Sequence, residues 1–131
     1  MNSREQLYAA TIYEQVKAIA DAYPDEKDKR RKQYGSMAHK LPILVRQAGL
    51  VQALAFVESR GKDPHKQLLG HLAETVGEGN AGQVLDRSRT AGLEDYMLLT
   101  EKTLLALKWY KRFAQSVLKV KPTDEVEEEE E

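Results

Sequence analysis

The chain has 131 residues, 31% of them charged, and no cysteine. That length suits one compact domain with a real hydrophobic core, and the missing cysteine excludes a disulfide framework, thiolate chemistry and any Cys-based zinc site. The formal net charge of -1 conceals a split: Asp124, Glu125 and Glu127 to Glu131 crowd the C-terminal end, leaving 20 basic against 14 acidic side chains in positions 1–123, a net of +6.

A basic body is compatible with a polyanionic partner, but on charge alone a solvated helical surface is the weightier reading. The opening "MNSREQLYAATIYEQ" interrupts the apolar stretch a signal peptide needs, and no run approaches the ~20 apolar residues of a membrane span. The expectation is a cytoplasmic protein with no membrane partner.

Residues 3–22 begin with a Ser3/Gln6 capping box and repeat apolar side chains at Tyr8, Ile12, Val16 and Ile19, an amphipathic helix. Pro24 ends it, and Asp25 is the expected cap of a second helix with an acidic first turn, running to about Ala48. Gly49 opens a third helix that ends at "SRG". Asp63 and Pro64 then begin a fourth, as cap and first helical residue. "EGNAG" reads as a flexible turn, "AGQVLDRSRT" as one or two weak helical turns, and residues 92–119 as a long last helix. No segment alternates like a strand. The expectation is therefore an all-α fold, a single compact bundle of five to six helices over residues 1–121, followed by a disordered acidic tail over 122–131.

On the second helix, Tyr34, Met37, Ala38, Leu41, Leu44, Val45 and Ala48 share one face, which is the expected core. Lys32, His39 and Arg46, spaced by seven, align on the opposite side beside the small residues Gly35 and Ser36. Such a stripe suits a sugar-phosphate chain laid along the helix, and it also describes an ordinary solvated face. The last helix carries a core stripe of Leu93, Tyr96, Met97, Leu104, Leu107, Tyr110, Ala114 and Leu118, yet Leu98, Leu105 and Trp109 point nearly the other way. Either the helix is sandwiched or a partner covers it, and Trp109 beside Lys108, Lys111 and Arg112 has the character of an interface anchor.

No P-loop, dinucleotide fingerprint, nucleophile elbow or zinc motif occurs in the sequence. His65 and His71 do not share a helical face, and no carboxylate pair stands out. The reading is a protein that is not an enzyme, with no catalytic residues, no metal and no cofactor.

The blocks "YGSMAHKLPILVRQAGLVQALAFVESRG" (34–61), "LLGHLAE" (68–74) and "YMLLTEKTLLALKWYKRFAQSVLK" (96–119) resemble, in order and spacing, the small all-helical subunit of the Cmr complex, the type III-B CRISPR effector. One departure is Ala48, where the family often has Asn before the glycine. The resemblance implies a non-catalytic subunit, present in several copies and stacked along a ribonucleoprotein filament. Its implied partners are other Cmr subunits, further copies of itself, and the CRISPR RNA with its paired target RNA. On this reading the first-choice RNA contacts are Lys32, His39, Lys40 and Arg46, the second-choice ones Arg60, Lys108, Lys111 and Arg112, and the partner interface Leu98, Leu105 and Trp109. The competing expectation is a helical protein-interaction module that does not touch RNA.

Overall fold

A computed structural model of the chain describes residues 3–124. Six helices follow one another: α1 (Arg4–Ala22), α2 (Lys29–Ala48), α3 (Leu50–Arg60), α4 (Asp63–Val76), α5 (Ala81–Thr90) and α6 (Leu93–Ser116). No strand occurs among the described residues. The acidic tail expected over 122–131 falls mostly on residues 125–131, which lie outside the described residues, whereas 121–124 close a turn in which the Asp124 N–H donates to the Lys121 carbonyl at 3.0 Å.

Local chemistry sets the helix ends. The capping box at α1 is present: Ser3 Oγ accepts from the Gln6 N–H at 3.1 Å, and Gln6 Oε1 accepts from the Ser3 N–H at 2.8 Å. Asp25 does not cap α2. Its carboxylate accepts instead from the Lys27 N–H in a tight turn, and Asp28 caps the helix by accepting from the Arg30 N–H at 2.8 Å, so the first turn of α2 holds no acid. The cap of α4 is Lys62, one residue earlier than expected, with Asp63 and Pro64 both inside the first turn. α5 is a full ten-residue helix and not a weak turn or two, because Asn80 and Gln83 make a second capping box. Gly49 joins α2 to α3 at φ 89°, a positive value that glycine adopts without penalty, and its N–H still closes on the Val45 carbonyl.

Helix α6 is central, packing against α1, α2 and α4. It runs antiparallel to α2, since Arg31 meets Leu118 while the Val51 N–H at the far end meets the Tyr96 hydroxyl. Tyr34, Met37, Ala38, Leu41 and Val45 of α2 are buried as expected, but Leu44 is half-buried and Ala48 exposed. In α6, Leu107, Tyr110 and Ala114 are buried, whereas Leu93 and Met97 are 74% and 56% exposed, against expectation. Both lie where α6 projects past the start of α1, which is level with Lys108 and Trp109.

A buried polar cluster fixes the register of α1, α4 and α6. Gln15 donates to the His71 carbonyl at 3.2 Å and to Glu74 at 3.0 Å, and accepts from the Tyr110 hydroxyl at 2.5 Å. Each bond satisfies a group whose burial alone would cost about 1–3 kcal/mol.

The last helix ends at Ser116, three residues short of the expected 119. Lys119 takes a left-handed conformation at φ 63°, and Val117 to Val120 fold back as a strap over the first half of α2. Arg31, only 5% exposed, holds it: Nε donates to the Leu118 carbonyl at 3.0 Å, Nη2 to Val117 at 3.3 Å, and Nη1 to Tyr23 and Pro24 at 3.2 and 3.4 Å. Val120 lies against Gly35 so closely that a Cβ there would stand 2.7 Å from Val120 Cβ. Replacing Arg31 with Lys keeps the charge and loses the fan of donors, so Arg31→Lys should lower unfolding free energy by about 2 kcal/mol in urea denaturation. Gly35→Ala, which would gain about 1 kcal/mol on an open helix, should instead lose about 1–3 kcal/mol by overpacking, read from the same denaturation midpoint.

Candidate nucleic-acid interface

Spacing on α6 places Lys108, Lys111, Arg112, Gln115 and Ser116 on one helical face, at i, i+3, i+4, i+7 and i+8. The antiparallel α2 sets Pro42 and Arg46 opposite that face, and the two helices enclose a cleft of about 540 Å³. Arg46 from the first-choice set thus joins Lys108, Lys111 and Arg112 from the second-choice set. Arg46, Lys111 and Arg112 are exposed and have no ion-pair partner among the described residues. Lys108 is engaged: its Nζ donates to Glu5 at 2.7 Å, and that bond holds the Glu5 carboxyl below its usual range. Pro42, Gln115 and Ser116 complete the lining beyond the expected residues. The i, i+3, i+4, i+7 series starting from Lys108 is the signal for Gln115, but nothing in one helix announces the facing Pro42.

The remaining expected contacts lie outside this lining. Lys32 is half-buried and Lys40 exposed; Arg60 is half-buried, its guanidinium 5.7 Å from the Phe56 ring. His39 does not face outward. It is 4% exposed beneath the strap, and Gly35 beside it is buried under Val120, so the expected low-relief stripe is closed over along its first half. His39 Nε2 donates to the Val120 carbonyl at 2.7 Å, which leaves Nδ1 as the bare nitrogen, buried and without a partner among the described residues. Burial pushes the His39 pKa down, with the Lys111 charge adding to it and the Val120 bond and Asp124 opposing.

The expected partner surface divides as well. Leu98 is 43% exposed and continues the patch of Leu93 and Met97. Leu105 and Trp109 are half-buried against the core. Trp109 is tied down within the chain: Nε1 donates to Glu5 at 3.1 Å, and the ring leans on Phe113 with centroids 5.6 Å apart. Phe113 meets Tyr13 edge-on at 5.4 Å. Leu105 and Trp109 are thus packed within the chain, while Leu98 is exposed.

Fold and cleft together define a small all-helical protein with a cationic groove between two antiparallel helices. The chain matches the family described as CRISPR-associated protein (Cas_Cmr5) over residues 4–117. It is 45% identical over 118 residues to the CRISPR system Cmr subunit Cmr5 of Thermus thermophilus, covering 90% of this chain and 98% of that protein. Among solved structures it is similar to the X-ray crystal structure of a CRISPR-associated Cmr5 family protein from Thermus thermophilus. There the TM-score is 0.79 at 44% identity, over 89% of this chain and 98% of that one. The chain belongs to the Cmr5 family, as the resemblance in its sequence implied.

The buried histidines make stability pH-dependent. His39 and His71 both have pKa values lowered by burial from 6.5. Below about pH 6.5 the unfolded chain therefore binds more protons than the folded one, and stability falls as pH drops. Urea midpoints should decrease between pH 7.5 and 5.5. In His39→Gln, whose amide can still donate to Val120, the decrease should shrink, leaving the His71 share.

Proposed function

We propose that the chain is a non-catalytic subunit of a Cmr RNA-guided CRISPR effector complex, and that the α2/α6 cleft carries RNA backbone along its surface. One observation carries the cleft's part in this reading. Arg46, Lys111 and Arg112 converge on a groove without an ion-pair partner among the described residues. Lys and Arg in such a groove meet phosphates without reading bases, which suits a subunit whose target is selected by guide pairing. The Thermus relative's name places that protein in a Cmr system, and family membership supports the same assembly for this chain.

Arg46, Lys111 and Arg112 are the primary phosphate contacts and Lys108 a rim contact. Lys32, Lys40 and Arg60 would meet only a longer RNA path. His39 is not carried forward, because its polar atoms are enclosed. The non-catalytic part of this reading is supported by membership of a family of complex subunits, and the His39 and His71 rings are taken up in hydrogen bonds within the fold. Cytoplasmic residence agrees with this reading, and no helix among the described residues is long and apolar enough to cross a membrane.

The exposed Leu93, Met97 and Leu98 favour a second, compatible role, contact with a neighbouring subunit or a further copy in the assembly. Leu105 and Trp109 would support that patch from beneath. Charge reversal in the cleft separates the two roles. In the reassembled complex, Arg46→Glu and Lys111→Glu should weaken target-RNA binding and reduce the slope of log affinity against log salt by about 0.7–0.9 for each phosphate no longer neutralised, with assembly intact. Met97→Glu should impair assembly and leave the slope per bound complex alone. A salt slope unchanged by either cleft variant would remove the cleft from the RNA path.

A further inference from the structure

We propose that residues 120–124 form a proton-sensitive latch on α2: protonation of His39 unseats Val120, and the segment swings away about Lys119 while the six helices stay folded. The latch stands independently of the function proposed above; its consequence for RNA rests on that reading.

The strap is attached to α2 in two halves of different chemistry. Val117 and Leu118 give their carbonyls to Arg31, whose guanidinium keeps its charge at any pH the fold survives. Beyond Lys119 the attachment depends on Val120. Its carbonyl accepts from His39, its N–H donates to the Ala114 carbonyl at 2.9 Å, and its side chain covers Gly35. Between the halves, Lys119 at φ 63° is the one non-glycine residue with positive φ among the described residues. A lysine disfavours that conformation, and opening relieves it, so the joint serves as the pivot. The turn beyond is closed on itself by the bonds between Lys121 and Asp124, and it can move as a unit.

The trigger is the bare nitrogen of His39. Nδ1 is buried and has no partner among the described residues. A proton added there creates a second N–H donor and a full charge, and neither meets an acceptor or water while Val120 is seated. Unseating Val120 gives both to solvent. The charges that bear on the ring from the elements around it are Lys111 of α6, which opposes the proton, and Asp124 of the turn, which favours it. On α2 itself, Lys32 and Arg46 stand seven residues to either side. Burial outweighs Asp124, and the ring's pKa is lowered. The closed latch is therefore fully favoured above the ordinary histidine pKa of about 6.5 and weakens as pH falls below it.

Opening uncovers Gly35 and sets an imidazolium in line with Lys32 and Arg46. The cationic groove then continues past Pro42 toward the start of α2, and phosphates gathered there hold the His39 proton in place. Proton and RNA favour the same open state.

Amide hydrogen exchange of the full-length chain reads the latch. The Val120 N–H reports opening of the segment, and the N–H of Leu107, buried in α6, reports global unfolding. After correction for intrinsic exchange rates, the Val120 opening constant should exceed that of Leu107. It should also rise about ten-fold from pH 7.5 to 5.5, the ratio expected for a group whose pKa is about 6.5 when open and well lower when closed. In His39→Gln, whose amide can still donate to Val120, the opening constant should be the same at both pH values. A single opening constant for Val120 and Leu107 overturns the proposal, because the segment then opens only with the whole fold. So does a Val120 opening constant that ignores pH in the native chain, or an undiminished pH response in His39→Gln. The native-chain readings decide the matter even where the variant fails to fold. For an oligouridylate, whose bases do not titrate in this range, the slope of log affinity against log salt should steepen by about 0.7 from pH 7.5 to 5.5 in the native chain and stay constant in His39→Gln. Absence of RNA binding at both pH values removes the RNA path and leaves the latch standing. Binding with one slope at both pH values keeps the path and overturns the latch's part in it.

Discussion

The buried guanidinium of Arg31 is the constraint on which the rest of the fold depends. It sits near the start of α2 and donates to four carbonyls, two where α1 ends and two just beyond α6. Helix C-termini carry unsatisfied carbonyls and a partial negative charge, so two of them converging on one cation satisfy both sides without a carboxylate. A buried charge lacking such partners would cost several kcal/mol. The arrangement fixes where α1 and α6 end relative to α2, and with that the antiparallel register that sets Arg46 across from Lys111 and Arg112. The cleft is thus a consequence of a joint that adjoins its Ser116 end.

How much of this could be read from sequence follows from the range of each interaction. The helices and their order were legible, because 3.6-residue periodicity and capping side chains act within a few residues of one another. Where local signals compete, sequence alone does not decide: Asp25 and Asp28 are both good caps, and only the turn that engages the Asp25 carboxylate separates them. Single-helix reasoning gives the direction of a side chain, not what covers it. His39 points away from the Tyr34–Leu41 face as the wheel requires, but a strap arriving from residue 120 closes over it. The cations of the cleft are individually visible in the sequence, but their convergence belongs to the pairing of α2 with α6 and to neither helix alone. Arg31 does leave a local trace. It lies three residues before Tyr34 and seven before Ala38, in line with the core stripe, where a solvated arginine has no place.

The apolar residues of α6 divide because α1 and α6 are offset. Glu5, near the start of α1, is anchored beside Lys108 and Trp109, so at ~1.5 Å per residue about 22 Å of α6, from Leu93 to Leu107, lies beyond the start of α1. Trp109 lies under α1 and its indole N–H finds Glu5; Leu93, Met97 and Leu98 lie beyond α1 and find no cover. A helix wheel assigns the same character to both sets, and only the ending of the neighbouring helix separates them.

Several cations elsewhere in the molecule are paired. Arg30 bonds Asp28, Lys17 faces Asp21, Arg87 lies between Glu78 and Asp95, and even Lys108 at the cleft's rim has Glu5. Surface pairs of this kind contribute about 0–1 kcal/mol each, and the exposed Lys27, Lys40 and Lys66 have no ion pair among the described residues either. What sets the groove apart is convergence: Arg46 of α2 faces Lys111 and Arg112 of α6 across it, where like charges repel. Placing Gln115 and Ser116 among them spaces the charges without neutralising them. That gathering of like charge in one groove is the feature on which the proposed RNA-backbone path rests.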